Sequence, residues 1–514
     1  MNRCYLYRRQ WLKTLSAFFS LSLGLLAPGW QPSPAYSAEK LHLVYGPLDF
    51  SLSVSSLDTY AKTGKITKDL QFFTQFLSSE NLEQFRKLLQ KRFSVDQVTA
   101  YKISRTSLAE DFLRELGQVF QTHPERNGFY ALRGAIVSAA ANPEGWTVVD
   151  VMQQFPTDSI IIDVDSILEL KAQLEAFSSY RQAAVQAISQ QANREASAPP
   201  SVDLTQLPDL RQPGPYSFSQ KNITVEKEEL RQTHKGLVGR YHFDVDLYIP
   251  QNVGKPAPLV VISHGFGSLK ENFTQLAEHL ASYGFAVAIP EHIGSDLTYR
   301  QELLQGKLSS ALSPIEYLDR PLDITYLLDE LEQLAAADST WAKQIDLQAT
   351  GIIGDSLGAT TALSLAGAEV NTARLEQECD PERIIINLSL LLQCQARYLP
   401  PLNFQLRDPR IKAVIASHPL ASGIFGPEGM GEIQIPTLIV AGSNDIITPV
   451  TSEQIHPFIW LNALNKYLLL FEPGTHFTSS EPSLKFQADT IPKALIGDNR
   501  ALGSRYFRGI SVAF

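Results

Sequence analysis

The chain has 514 residues, of which 44% are apolar, 10% aromatic and 19% charged. That composition excludes a largely disordered protein, because enough apolar surface is present to offset the entropy lost on ordering, and the length predicts two folded units. A formal net charge of −10 excludes a general affinity for phosphate backbones, so nucleic acid is not an expected partner, and any peripheral membrane contact would have to be local.

Residues 1–38 read as a signal peptide. Arg3, Arg8, Arg9 and Lys13 precede an apolar run from Leu15 to Ala27 that is short for a membrane span, and small residues follow around Ala35-Tyr36-Ser37-Ala38. Cleavage after Ser37 or Ala38 and an exported, periplasmic or extracellular protein are expected; an uncleaved anchor is the alternative. The stretch Tyr7-Arg8-Arg9-Gln10-Trp11-Leu12-Lys13 resembles a twin-arginine export signal. Beyond the leader only Cys379 and Cys394 remain, with fourteen residues between them, and in an oxidising compartment such a pair predicts a disulfide rather than a metal site.

Residues 39–190 read as a mostly helical domain. Leu70 to Leu77, Leu82 to Leu89 and Leu108 to Phe120 space apolar residues by three and four, and a further helix is expected from Ser166 to about Ser189. No motif there attaches to chemistry, and no partner for this domain is indicated. Residues 191–215 hold five prolines among polar residues and read as a linker.

From 216 to 514, β-type runs alternate with helical ones. The runs are Ile223 to Val225, Arg240 to Ile249, Leu259 to Ser263, Ala286 to Ile289, Ala349 to Ile353, Ile411 to Ile415, Thr437 to Ala441 and Tyr467 to Phe471. Several are solidly apolar, which predicts strands buried on both faces. The fold class is therefore α/β, a mostly parallel sheet with helices on both faces, opened by an antiparallel hairpin.

Gly354-Asp355-Ser356-Leu357-Gly358 fits the nucleophile-elbow pattern, and its flanks read as the strand and helix that the pattern requires. A serine hydroxyl needs a base held by a third group. Two later strands end at Asp445 and at His476, in the chain order serine, acid, histidine. Asp445 could also be a turn residue and His476 a surface one. Asp355, next to the nucleophile, is badly placed to reach the far side of an imidazole. The loop His264-Gly265-Phe266-Gly267 after the third strand is expected to bring the Phe266 N–H beside that of Leu357 as an oxyanion hole, with His264 supporting the loop. Residues 293–318 and 369–410 read as insertions over the site.

Ser263-His264-Gly265-Phe266-Gly267-Ser268, Leu280 to Ala288, Glu291-His292 and Arg320-Pro321-Leu322-Asp323-Ile324 together resemble the platelet-activating-factor acetylhydrolase and dienelactone-hydrolase-like branch of the α/β-hydrolases. The whole layout is similar to cyanobacterial hydrolases carrying an N-terminal domain of unknown function. The resemblance implies a lipid-type ester substrate in class. It also implies an acid after the sixth strand, but this chain has Ser417-His418-Pro419 there, which leaves Asp445 after the seventh. The expected function is hydrolysis of carboxylic esters through an acyl-enzyme on Ser356, with neither metal nor organic cofactor and a small-molecule or lipid ester as partner. The same three groups would serve a peptidase or thioesterase, and a retired hydrolase acting as a binding module is the rival from another class.

Overall fold

The computed structural model describes residues 37–514 except 76, 125, 199–202, 204–205, 229–230, 234–235, 381–386, 401–403 and 482–492. Nearly all of the expected signal peptide lies outside the described residues. By contacts the chain divides into two units, one of residues 1–97 and 120–162, the other of residues 98–119 and 163–514.

The first unit carries helices such as Val54–Thr63, Ser79–Gln90 and Phe129–Ala139, as the periodicity predicts. It also holds a four-stranded sheet that the helical reading missed. Strands β1 (Lys40–Tyr45), β2 (Leu48–Ser53), β3 (Phe120–Gln121) and β4 (Ser159–Asp163) pair in the order β2-β1-β4-β3. The signal was a tight hairpin: Gly46, at φ 53°, and Pro47 connect two strands paired residue for residue from Lys40 opposite Ser53 to Tyr45 opposite Leu48.

In the second unit all eight expected runs are strands of one sheet. After β5 (Phe218–Lys227) comes a separate small hairpin, β6 (Arg231–Thr233) and β7 (Gly236–Val238). Then follow β8 (Tyr241–Pro250), β9 (Ala257–Ser263), β10 (Ala286–Pro290), β11 (Ile345–Asp355), β12 (Ile411–Ser417), β13 (Thr437–Gly442) and β14 (Lys466–Phe471). The order is β14-β13-β12-β11-β9-β10-β8-β5, with β8 antiparallel to both neighbours and the rest parallel. Side chains alternate across a strand, so each apolar run feeds two cores. Leu259, Val261, Ala286, Ala288 and Ile439 pack on one face with helices Glu316–Ala336 and Leu357–Ala366; Val260, Ile262, Val287, Ile289, Leu438 and Val440 pack on the other with helix Thr274–Ser282 and Phe507.

The contacts divide the chain elsewhere than at residues 191–215. Helix Val164–Ser197, begun by Asp163 accepting from the Ser166 N–H, packs Val185, Ala184 and Ile188 on Ala441, Val450 and Ile455. Tyr180 Oη lies 2.8 Å from His456 Nε2 on the same side. Helix Ser107–Val119 likewise belongs to the sheet unit, where the Ser107 N–H donates to Ser309 O at 2.9 Å. Periodicity finds a helix but says nothing about which body it packs on, which is why both read as N-terminal.

Candidate active site

Parallel strands end together when their register is in step, and here the register sets the site. Ser263 lies opposite Gly354, Asp355 opposite Ser417, Ser417 opposite Val440, and Gly442 opposite Phe471, so the loops that follow β9, β11, β12, β13 and β14 share one edge.

Ser356 follows β11 at φ 54° and ψ −118°, a conformation unfavourable for any residue with a Cβ, and the next residue opens helix Leu357–Ala366. The elbow is held because the chain on either side approaches very closely. A Cβ at Gly354 would lie 2.1 Å from Gly358 O, and one at Gly358 would lie 2.0 Å from Ser263 O, so backbone, not a movable side chain, fills the space. The Ser356 N–H donates to Ser417 O at 2.8 Å, tying the elbow to the end of β12. Ser356 itself is half-buried and therefore open on one side.

The base and acid come from two loops stitched to each other. The Asn444 N–H donates to Gly474 O at 2.6 Å, and the Gly474 N–H to Ser443 Oγ at 3.3 Å. Asp445 Oδ2 lies 2.8 Å from His476 Nδ1. Asp445 Oδ1 accepts from the N–H groups of Ile447 and Thr448, both at 2.9 Å. One carboxylate oxygen thus builds the turn and the other holds the imidazole. Burial opposes the charge on Asp445, but His476 and the hydrogen bonds from His418 and His476 outweigh it and hold its pKa far below the carboxylate range. Burial likewise disfavours a charged His476, yet the Asp445 carboxylate beside it and the charge of Asp355 raise its pKa above the ordinary value.

The loop after β9 lies against the nucleophile: a Cβ at Gly265 would meet Ser356 Cβ at 3.2 Å. It is braced by the Gly267 N–H to Ser295 O at 2.8 Å and the Ser268 N–H to Gly265 O at 3.2 Å, bonds that do not use the Phe266 N–H. As first residue of its helix, Leu357 has no intrahelical acceptor for its N–H either. His264 is enclosed within the loop's supports. Its Nδ1 lies 2.9 Å from Gly265 O, an acceptor, so that nitrogen carries a proton; its Nε2 lies 3.0 Å from the His292 N–H. Beneath it, the fully buried Arg320 donates from Nη2 to His264 O, and burial pulls the Arg320 pKa down to about 10. The first insertion reaches this loop too: the Tyr299 ring meets Phe266 edge-on at 6.0 Å.

Cys379 and Cys394 are joined by a disulfide. Gln393, within the loop that this disulfide closes, and the chain after β12 meet at the fully buried Glu453, which accepts from the N–H groups of Ala421 at 2.7 Å and Ser422 at 2.9 Å, and from Gln393 Nε2 at 3.1 Å.

Sequence reasoning missed three residues. Thr448 Oγ1 lies 2.8 Å from Asp445 Oδ2 and 3.1 Å from His476 Nδ1, and Gln454 Nε2 donates to it at 2.9 Å. His418 Nδ1 lies 3.0 Å from the same Asp445 Oδ2. The signal for His418 was its place at the end of β12, where the resemblance implies a carboxylate and the chain has an imidazole. Among the described residues, His418, Asp445 and His476 are the trio whose donor atoms lie within 4.8 Å of one another, as a metal would require. The two Nδ1–Oδ2 distances are hydrogen-bond distances, so an ion there would have to displace both protons.

Two family models match parts of the chain. One, described as an alpha/beta hydrolase of unknown function (DUF1400), matches residues 37–163; the other, described as platelet-activating factor acetylhydrolase, isoform II, matches residues 221–303. No curated protein matches. The second match runs from β5 through the Phe266 loop and stops short of Ser356. Sheet order and elbow are those of an α/β-hydrolase, and the two partial matches support a likeness to the platelet-activating-factor-acetylhydrolase-like branch, which suggests a lipase/esterase-type hydrolase.

Proposed function

We propose that the chain is a serine carboxylic-ester hydrolase, acting on lipid-type or short-acyl esters through an acyl-enzyme on Ser356. The observation that carries the reading is the convergence on one sheet edge of a serine in a strained elbow, an imidazole on a buried carboxylate, and a glycine-bearing loop pressed against the serine.

In this reading His476 takes the Ser356 proton as the hydroxyl attacks the ester carbonyl. Asp445 keeps the proton on His476 Nδ1, so Nε2 is the basic nitrogen, and stabilises the imidazolium that forms. The N–H groups of Phe266 and Leu357 receive the oxyanion, each worth about 3 to 4 kcal/mol in a water-poor site. The imidazolium then protonates the departing alkoxide. Water, deprotonated by the same imidazole, cleaves the acyl-enzyme and restores Ser356.

The base must be neutral to act, and its pKa is raised, so kcat/KM falls as pH drops through a midpoint above the ordinary histidine value of about 6.5. A panel of p-nitrophenyl esters from acetate to long acyl chains, with a peptide and a thioester as comparators, tests both points. Ester turnover with that acid limb is expected. Faster turnover of the thioester or peptide at matched acyl group would replace the ester assignment.

The basic, then apolar, leader and the Cys379–Cys394 disulfide support export to the periplasm or exterior. The exported protein is expected to begin at Ala38 or Glu39, read by N-terminal sequencing; a mature chain still beginning at Met1 would mean an anchor instead.

A further inference from the structure

We propose that His418 is a positioning residue of this site, holding Asp445 through the same carboxylate oxygen that His476 uses, so that one anion serves two imidazoles. The proposal rests on the serine-hydrolase reading above and adds a fourth member to its three groups.

Three observations carry it. His418 Nδ1 and His476 Nδ1 lie 3.0 Å and 2.8 Å from Asp445 Oδ2, and the two rings sit 5.2 Å apart, centre to centre. The His418 backbone is at φ 51°, in the left-handed region, where a side chain costs on the order of 1 to 3 kcal/mol unless its surroundings hold it. A main-chain bond does so: its N–H donates to Val440 O at 2.9 Å. Finally, the ring is fully buried and its Nε2 has no hydrogen-bond partner. A phenyl ring would fill the same space without that unsatisfied nitrogen, and a glycine would relieve the backbone. What only an N–H-bearing side chain supplies here is the bond to Asp445.

The consequence is electrostatic as well as geometric. The ionisable groups facing the pair are Asp445 from the loop after β13, Asp355 from the end of β11, and the two imidazoles themselves. A carboxylate oxygen that accepts from His418 has less negative charge to offer His476. Without His418, Asp445 Oδ2 loses one of its donors, keeps Thr448 Oγ1 beside His476, and binds the His476 proton more strongly. The base is then aimed less well and is more often protonated near neutral pH.

The test compares wild type, His418→Phe and His418→Asn by the pH profile of kcat/KM and by thermal unfolding. Phe removes the donor. Asn tolerates positive φ and places its Nδ2–H where the imidazole has Nδ1. His418→Phe is expected to move the acid limb up by about 0.5 to 1 pH unit and to lower kcat about tenfold, with Asn restoring both. A wild-type acid limb and kcat in His418→Phe, with only a lower Tm, would reduce His418 to packing. A second measurement needs no substrate. Proton NMR with nitrogen-15-labelled histidines should show a low-field imidazole N–H signal that His418→Phe removes and a second, from His476, that the same variant shifts; a spectrum in which His418→Phe removes no low-field signal would overturn the shared carboxylate. If no ester is turned over yet both signals are present, the esterase reading fails while the shared carboxylate stands.

Discussion

Ser356→Ala is expected to abolish ester turnover, by about 10⁵ to 10⁶ in kcat, while leaving Tm and near-ultraviolet circular dichroism near those of wild type. The size follows from the chemistry, since without a nucleophile no acyl-enzyme forms and only the background left by the oxyanion hole and binding remains. The stability follows from the elbow. Alanine keeps the Cβ already present at that strained backbone, and the bonds that fix the turn come from main chain: the Ser356 N–H to Ser417 O, and the close approaches of Gly354 and Gly358. A fluorophosphonate probe should therefore label wild type and leave folded Ser356→Ala unlabelled. Equal labelling of both proteins would place the nucleophile elsewhere.

Asp445→Asn is the next largest effect, a fall of about 10⁴ in kcat with the fold retained. An amide can preserve the turn, because its oxygen can still accept from the N–H groups of Ile447 and Thr448. It then presents its NH₂ to His476 Nδ1 in place of an acceptor, which drives the proton to Nε2 and leaves no lone pair toward the serine. His418 receives the same wrong partner, so two imidazoles are mismatched at once. The loss should be largest on the alkaline side of the wild-type acid limb, where His476 is neutral and correctly oriented. A fall of less than about tenfold would show that another group holds the imidazole, and Asp355, whose pKa is raised chiefly by burial, would be the first to examine.

Much of this architecture is legible in the residues themselves. Runs such as Leu259 to Ser263 and Thr437 to Ala441 are apolar at every position, and only a strand between two cores uses such a run in so few residues. Gly354, Ser356 and Gly358 are legible because a chemical demand and a steric demand fall on the same five residues. Other features could not be read this way. Strand β3 is two residues long and carries no periodicity at all. Thr448 and Gln454 acquire their role from a loop conformation that brings a hydroxyl under a carboxylate, and nothing in their spacing announces it. His418 was visible as a departure from a family pattern but not as a partner of Asp445, because the two are 27 residues apart and meet only through strand register.

Helix Ser107–Val119 bears on what can be taken from this protein as a cassette. Its sequence lies inside the span matched by the first family model, residues 37–163, yet its contacts belong to the sheet unit. The chain passes between its two units at residues 97/98, 119/120 and 162/163, so no single cut separates them. Excising the matched span as one block would strip the hydrolase of this helix, including the Ser107 bond that holds residue 309 of the first insertion. The two units are interleaved in the gene, and a recombination that moved one intact would have to carry part of the other with it.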